Sequence, residues 1–268
     1  MGDKLFFASD FHLGISGAGT SSEREHKIVR WLDTIQDEAR EIYLVGDIFD
    51  YWFEYNNVIP KGYTRLFGKI ASLVDNGIIL HYFTGNHDMW MFRYMTEEFG
   101  IKIYRSPISI TAGGKNFIIG HGDGLGPGDH GYKMIKKIFN NPFCQWAYRQ
   151  VHPDTGLRLM RYFSATSRAY TKISTDGLQP EKEWLILYAE DMLKRSEVDY
   201  FIFGHRHLPI DYLLSNGKSR YINLGDWLYY YSYAVFDGYE LSLRHYESDE
   251  ALIISNHIDS SVKFIQKL

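Results

Sequence analysis

The sequence predicts an α/β (α+β) protein: two packed mixed β-sheets flanked by helices, with a helical insertion over about residues 129–196. Three observations carry that expectation. Early in the chain, short apolar runs alternate with stretches of helical spacing, the pattern of βαβ units. Late in the chain, short alternating segments follow one another closely, as in a β-meander. Between them lies a stretch with helical spacing, few β-branched runs, and punctuation at Asn141-Pro142, His152-Pro153 and Gln179-Pro180. At 268 residues and 45% hydrophobic content the chain can bury one large core, so the insertion is read as part of a single domain over 1–268.

Taken in order, residues 5–8 form an apolar run that reads as a buried strand ending at Asp10. Residues 25–36 have Ile28, Leu32 and Ile35 on one helical face. A second buried strand, 42–45, ends at Gly46-Asp47. Leu66, Ile70, Leu73 and Val74 then recur at helical spacing, and Asn76-Gly77 stops that helix. A third strand over 78–83 ends at Gly85-Asn86-His87-Asp88. Residues 108–111 and 117–119 read as a hairpin around Gly113-Gly114, and its second strand ends at Gly120-His121. The strand 200–203 ends at Gly204-His205, and 211–214, 220–224, 232–236 and 241–245 are consecutive strands.

Composition narrows the chemistry. The net charge of −4 gives no global reason to bind nucleic acid. The single cysteine, Cys144, excludes an internal disulfide and a thiolate metal cluster. Any metal must therefore be held by His, Asp, Glu or Asn, which favours Mn²⁺, Fe²⁺, Mg²⁺ or Zn²⁺. The apolar stretch before Asp10 is too short for a signal peptide, and no run reaches membrane-span length, so a cytoplasmic location is expected. One segment departs from the acidic average. Residues 131–175 hold eight basic residues, including Arg168 and Lys172, against the single acid Asp154.

Each strand end carries a short polar motif. In Ser9-Asp10-Phe11-His12, positions i and i+2 of an extended segment would face one side and grip one cation. Gly46-Asp47-Ile48-Phe49-Asp50 offers a carboxylate able to bridge two ions, although a strand-end turn with a capping Asp looks the same. Gly85-Asn86-His87-Asp88 sets an amide oxygen beside an imidazole. Gly120-His121-Gly122-Asp123 and Gly204-His205-Arg206-His207 complete the series. Of eleven histidines, His12, His87, His121, His205 and His207 directly follow strand ends. His26, His81, His152, His245 and His257 read as structural or solvated, with His130 open.

Singly each motif is common; in this order they resemble the calcineurin-like metallophosphoesterases, over nearly the whole chain. That resemblance implies a β-sandwich flanked by helices and two divalent ions, manganese first among them. It implies that Asp10, His12 and His207 bind one ion, that Asn86, His121 and His205 bind the other, and that Asp47 bridges. His87 is then the imidazole that stabilises or protonates the leaving oxygen, with Asp88 orienting its ring. Asp50 and Asp123 are candidates for outer support or for turns.

The run from Gly46 to Trp52, with His121–Leu125, Asp129, Gly131 and Tyr132, looks further like the UDP-2,3-diacylglucosamine hydrolases of lipid A synthesis. Those enzymes release UMP and a diacylated sugar 1-phosphate. The implied substrate contacts are Asn86 and Asp129, under a helical lid whose apolar and basic residues meet acyl chains, phosphates and an anionic membrane face; Arg168 and Lys172, i and i+4 on one helix, could contact phosphate together or equally form a solvated basic face. The best-known hydrolases have Arg where this chain has His87. Two alternatives stay open at this level. The same site could serve nucleotides or nucleic acid, though the insertion lacks a long Lys/Arg tract. A fold with a dead site is the other, though all seven ligand types are present.

Overall fold

The computed structural model describes residues 2–17, 19–127, 130–170, 179–247 and 252–257, with the side chains of 130, 131 and 166–170 outside that description. Strand β1 (Lys4–Ala8) leads to helix α1 (Ser21–Ile35), then β2 (Ala39–Val45), α2 (Thr64–Asp75), β3 (Ile79–Phe83), α3 (Tyr94–Phe99) and β4 (Lys102–Tyr104). The hairpin of β5 (Ile108–Ala112) and β6 (Lys115–Ile119) follows. Three helices come next: α4 (His130–Phe139), α5 (Pro142–Arg149) and α6 (Pro153–Tyr170). After them come α7 (Trp184–Leu193), β7 (Tyr200–Phe203), β8 (Pro209–Leu213), β9 (Arg220–Leu224), β10 (Ser232–Phe236), β11 (Leu241–His245) and a short β12 (Ile254–Ser255).

The strands build two six-stranded mixed sheets, ordered β11-β10-β1-β2-β3-β4 and β12-β8-β9-β7-β6-β5. The alternation within β1 shows how they stack. Leu5 and Phe7 point into the core between the sheets, with Val45, Ile119, Ile202 and Ile222. Phe6 and Ala8 point the other way, into the layer under α1 and α2 with Trp31, Leu32 and Leu66. A parallel strand covered on both faces has no polar side, which is why residues 5–8 read as continuous apolar sequence. Helix α7 covers the outer face of the second sheet through Leu185, Ile186 and Ala189 against Ile118, Phe201 and Phe203.

Three features differ from the sequence reading. Helix α1 begins earlier, because Thr20 and Glu23 form a reciprocal capping box. The late strands do not run as one meander: β8 and β9 pair in the second sheet, while β10 crosses to the first and lies antiparallel to β1. Strand alternation looks alike on either path. Strand β4 and helix α3 form between the third motif and the hairpin, where no element is expected.

Candidate metal centre

The motif loops converge at the carboxyl ends of β1, β2, β3, β6 and β7. Their backbone is not the extended one expected. Asp10 (φ 55°), His12 (44°), Asp47 (52°), His205 (70°) and His207 (55°) are left-handed, five of the eight such non-glycine residues described. Each such conformation costs roughly 1–3 kcal/mol and clusters at functional sites. Asp10 and His12 therefore come together by a reversal of the chain, not by strand alternation. Arg24 braces that reversal: its buried guanidinium donates to the carbonyls of Phe11, His12 and Ile15 at 2.8, 2.7 and 2.6 Å. Gly85 is required for closeness, since a Cβ there would collide with the Asp47 carboxylate.

Donor atoms of Asp10, His12 and His207 lie within 4.8 Å of one another, and so do those of Asp47, His121 and His205. His12 Nε2 is 3.3 Å from His207 Nε2, and each has Asp10 Oδ1 nearby, at 3.7 and 3.4 Å. On the other side His121 Nε2 and His205 Nδ1 approach Asn86 Oδ1 at 3.3 and 2.9 Å. Asp47 Oδ2 faces both groups, 3.8 Å from His12 Nε2 and 3.2 Å from His121 Nε2. The structure thus brings all seven sequence-derived candidates together, with Asp47 between the two sets.

Residues 4–209 match the family model for calcineurin-like phosphoesterases. The chain belongs to this family. It is 40% identical to a UDP-2,3-diacylglucosamine hydrolase of Porphyromonas gingivalis, over 93% of this chain and 100% of that one. It is 27% identical to the same-named protein of Pseudomonas putida, over 83% of this chain and 90% of the relative. The corresponding protein of Aeromonas salmonicida is 24% identical, over 82% and 85%.

The ring hydrogen bonds show that this phosphoesterase's donor set fits divalent cations. His12 Nδ1 donates to Asp50 Oδ1 and His207 Nδ1 donates to Asp226 Oδ2, both at 3.2 Å. His121 Nδ1 donates to the Val45 carbonyl at 2.9 Å. With the proton held on Nδ1, the Nε2 lone pairs of His12 and His207 point into one shared space. Two lone pairs at that separation repel unless a cation or a proton lies between them. Asp10 Oδ1 is buried there without a hydrogen bond. Imidazole, carboxylate and amide donors of this kind suit Mn²⁺, Zn²⁺ or Fe²⁺.

The donors also bear on one another's protonation. Burial would depress His12, but Asp10, Asp50 and Asp47 outweigh it and raise its pKa to about 10. Burial likewise opposes protonation of His121, and Asp47 raises it to about 10. His205, buried beside His121, is pushed down to about 4. Burial is overcome at Asp10 too, where His207 and His12 hold the carboxyl near 2.

His87 sits against this centre, its ring edge-on to His12 at 4.9 Å. The expectation that Asp88 orients it is corrected. Asp88 instead accepts from the Ile48 and Gly85 amides and the Tyr82 hydroxyl, locking the second and third motif loops together. His87 Nδ1 lies 2.9 Å from the Asp50 carbonyl and 3.1 Å from Ser164 Oγ, and burial lowers its pKa. Ser164 comes from α6 and donates to Asp50 Oδ2 at 2.6 Å, so a helix of the inserted segment reaches the centre. Asp123 accepts from Tyr132 and Lys136, pinning α4 to the fourth motif. Asp129 and Lys172 lie outside the described residues; Arg168 lies on α6 with its side chain outside the description.

Sequence reading missed Asp226, Ser164 and Arg24. Asp226 had a visible signal, since Leu224-Gly225-Asp226 repeats the strand–Gly–Asp pattern of the second motif.

Proposed function

We propose that this phosphoesterase hydrolyses UDP-2,3-diacylglucosamine to UMP and 2,3-diacylglucosamine 1-phosphate, a step of lipid A synthesis. The observation that carries the reading is the 40% identity, across the whole length of the relative, to a protein of that name. Asp10, His12 and His207 would hold one divalent ion, Asn86, His121 and His205 a second, and Asp47 both; manganese is the first choice. Bound there, such ions polarise phosphate oxygens and make water nucleophilic near neutral pH.

The chain's own groups then divide the remaining work. His87 commits Nδ1 to Asp50 and Ser164, so Nε2 is the nitrogen left to meet the phosphate. Burial keeps the ring neutral in the free protein, and an anionic diphosphate beside it favours the imidazolium, which can give its Nε2 proton to the leaving oxygen. The helices α4–α6 act as a lid. Phe143, Trp146, Tyr162 and Phe163 on them are exposed, at 50–70% of their surface, beside basic residues. That combination suits acyl chains and peripheral contact with an anionic bilayer face. No helix among the described residues is long and apolar enough to cross a membrane.

The test is to incubate Mn²⁺-loaded protein with UDP-2,3-diacylglucosamine and, separately, with a nitrophenyl phosphodiester. Release of UMP and a lipid monophosphate is expected. Turnover of the synthetic diester alone would mean a nucleotide or general phosphodiesterase instead.

A further inference from the structure

Beneath α4 lies a cleft of about 710 Å³, within the range of about 300–1,000 Å³ typical of small-molecule sites. Its floor is the fourth-motif loop from His121 to Leu125, one wall is the turn after β4, and the other is α4. It adjoins the metal centre through His121, a candidate ligand that also lines the cleft.

The lining is cationic. Arg105, Lys133, Lys136 and Lys137 border it, and Asp123, its one carboxylate among the described residues, is already held by Lys136 and Tyr132. An anion is the ligand such a wall accepts. The remaining surface mixes Tyr104, Pro107 and Met134 with the polar groups of Thr84, Ser106 and Asn140. A planar heterocycle with a hydrogen-bonding rim matches that mixture; an acyl chain does not.

The His87 side of the centre has another character. There His87 meets Asp50 and Ser164, and beyond them Phe53, Tyr55 and Trp90 pack with Phe139, Tyr148 and Met160 of α4–α6. A diphosphate substrate crossing the centre sends its two halves to different sides, and the cleft beside His121 is open and lined by cations. We propose that the cleft under α4 is the nucleotide subsite, taking the nucleoside monophosphate half with its phosphate toward His121. This rests on the reading of the substrate as a UDP-linked lipid.

The experiment measures equilibrium binding of UMP to the Mn²⁺-loaded full chain, and product inhibition by UMP and by 2,3-diacylglucosamine 1-phosphate. The variants are Lys137→Glu, which reverses a charge on the exposed rim, and Ser106→Trp, which fills the mouth; thermal melting checks that each folds. Each variant is expected to weaken UMP by about tenfold, with inhibition by the lipid product changed less than about twofold. Unchanged UMP binding in both folded variants, an equal loss for both products, or inorganic phosphate competing as well as UMP would overturn the proposal. UMP binding that is sensitive to the variants, in a protein that leaves UDP-2,3-diacylglucosamine intact, would keep the subsite and reject the lipid substrate. Cleavage of that lipid with UMP binding indifferent to both variants would do the reverse.

Discussion

Replacing Asp226 with asparagine isolates the part of the centre that sets which nitrogen of His207 is free. Asp226 Oδ1 accepts from the Tyr229 and Tyr230 amides at 2.9 and 3.1 Å, while Oδ2 faces His207 Nδ1 at 3.2 Å. An asparagine keeps the two backbone bonds by turning its oxygen to them, which leaves its NH₂ against Nδ1. Two donors cannot face each other, so the His207 proton moves to Nε2, the nitrogen that must be bare to bind a cation. Loss of such an outer partner costs about 10- to 100-fold in metal affinity, equivalent to roughly 1.4–2.8 kcal/mol. The loss falls on the Asp10, His12 and His207 set alone. Titration with Mn²⁺ followed by electron paramagnetic resonance or calorimetry should show one weakened and one ordinary site, with the melting temperature of the metal-free protein little changed. Two sites of native affinity in Asp226→Asn would refute the reasoning.

Asp47→Ala removes the carboxylate between both sets and should abolish turnover and empty both sites, read by metal analysis; retained activity would refute its bridging position. Ser164→Ala deletes a buried hydrogen bond to a charged acceptor, worth about 1.5–3 kcal/mol, and should lower kcat by about tenfold with KM nearly constant, with partial recovery in Ser164→Thr. Metal loading should release up to two protons, one each from His12 and His121, because both carry pKa values raised to about 10 before loading. In the metal-free protein these two groups add stability that is full below their ordinary value of 6.5 and is lost as pH climbs toward 10. Chemical denaturation should therefore show the metal-free form weakening across that window while Mn²⁺ affinity rises.

Most of the centre could be read from the chain because each donor stands directly after a buried strand, and strand ends are where neighbouring loops must meet. The geometry that gathers them was less visible. The left-handed turns at Asp10, His12 and His207 are not marked by glycine at those positions, and the guanidinium that steadies the first turn, Arg24, bonds to carbonyls that any residue would offer. Ser164 is 114 positions from Asp50, and its partner is set by how α6 packs, which no local pattern encodes. The crossing of β10 into the first sheet was hidden for a similar reason: alternation in 232–236 serves equally well beside β9 or β1.

The hydroxyl that joins α6 to Asp50 couples the inserted helices to the centre through a single residue. Asp50 also supports His12 and, through its carbonyl, His87, so one residue carries hydrogen bonds to α6, to a candidate metal ligand and to the proposed proton donor. A change in how α6 packs is therefore felt at two imidazoles of the centre at once, although neither of them touches the helix through more than a hydroxyl and a carboxylate.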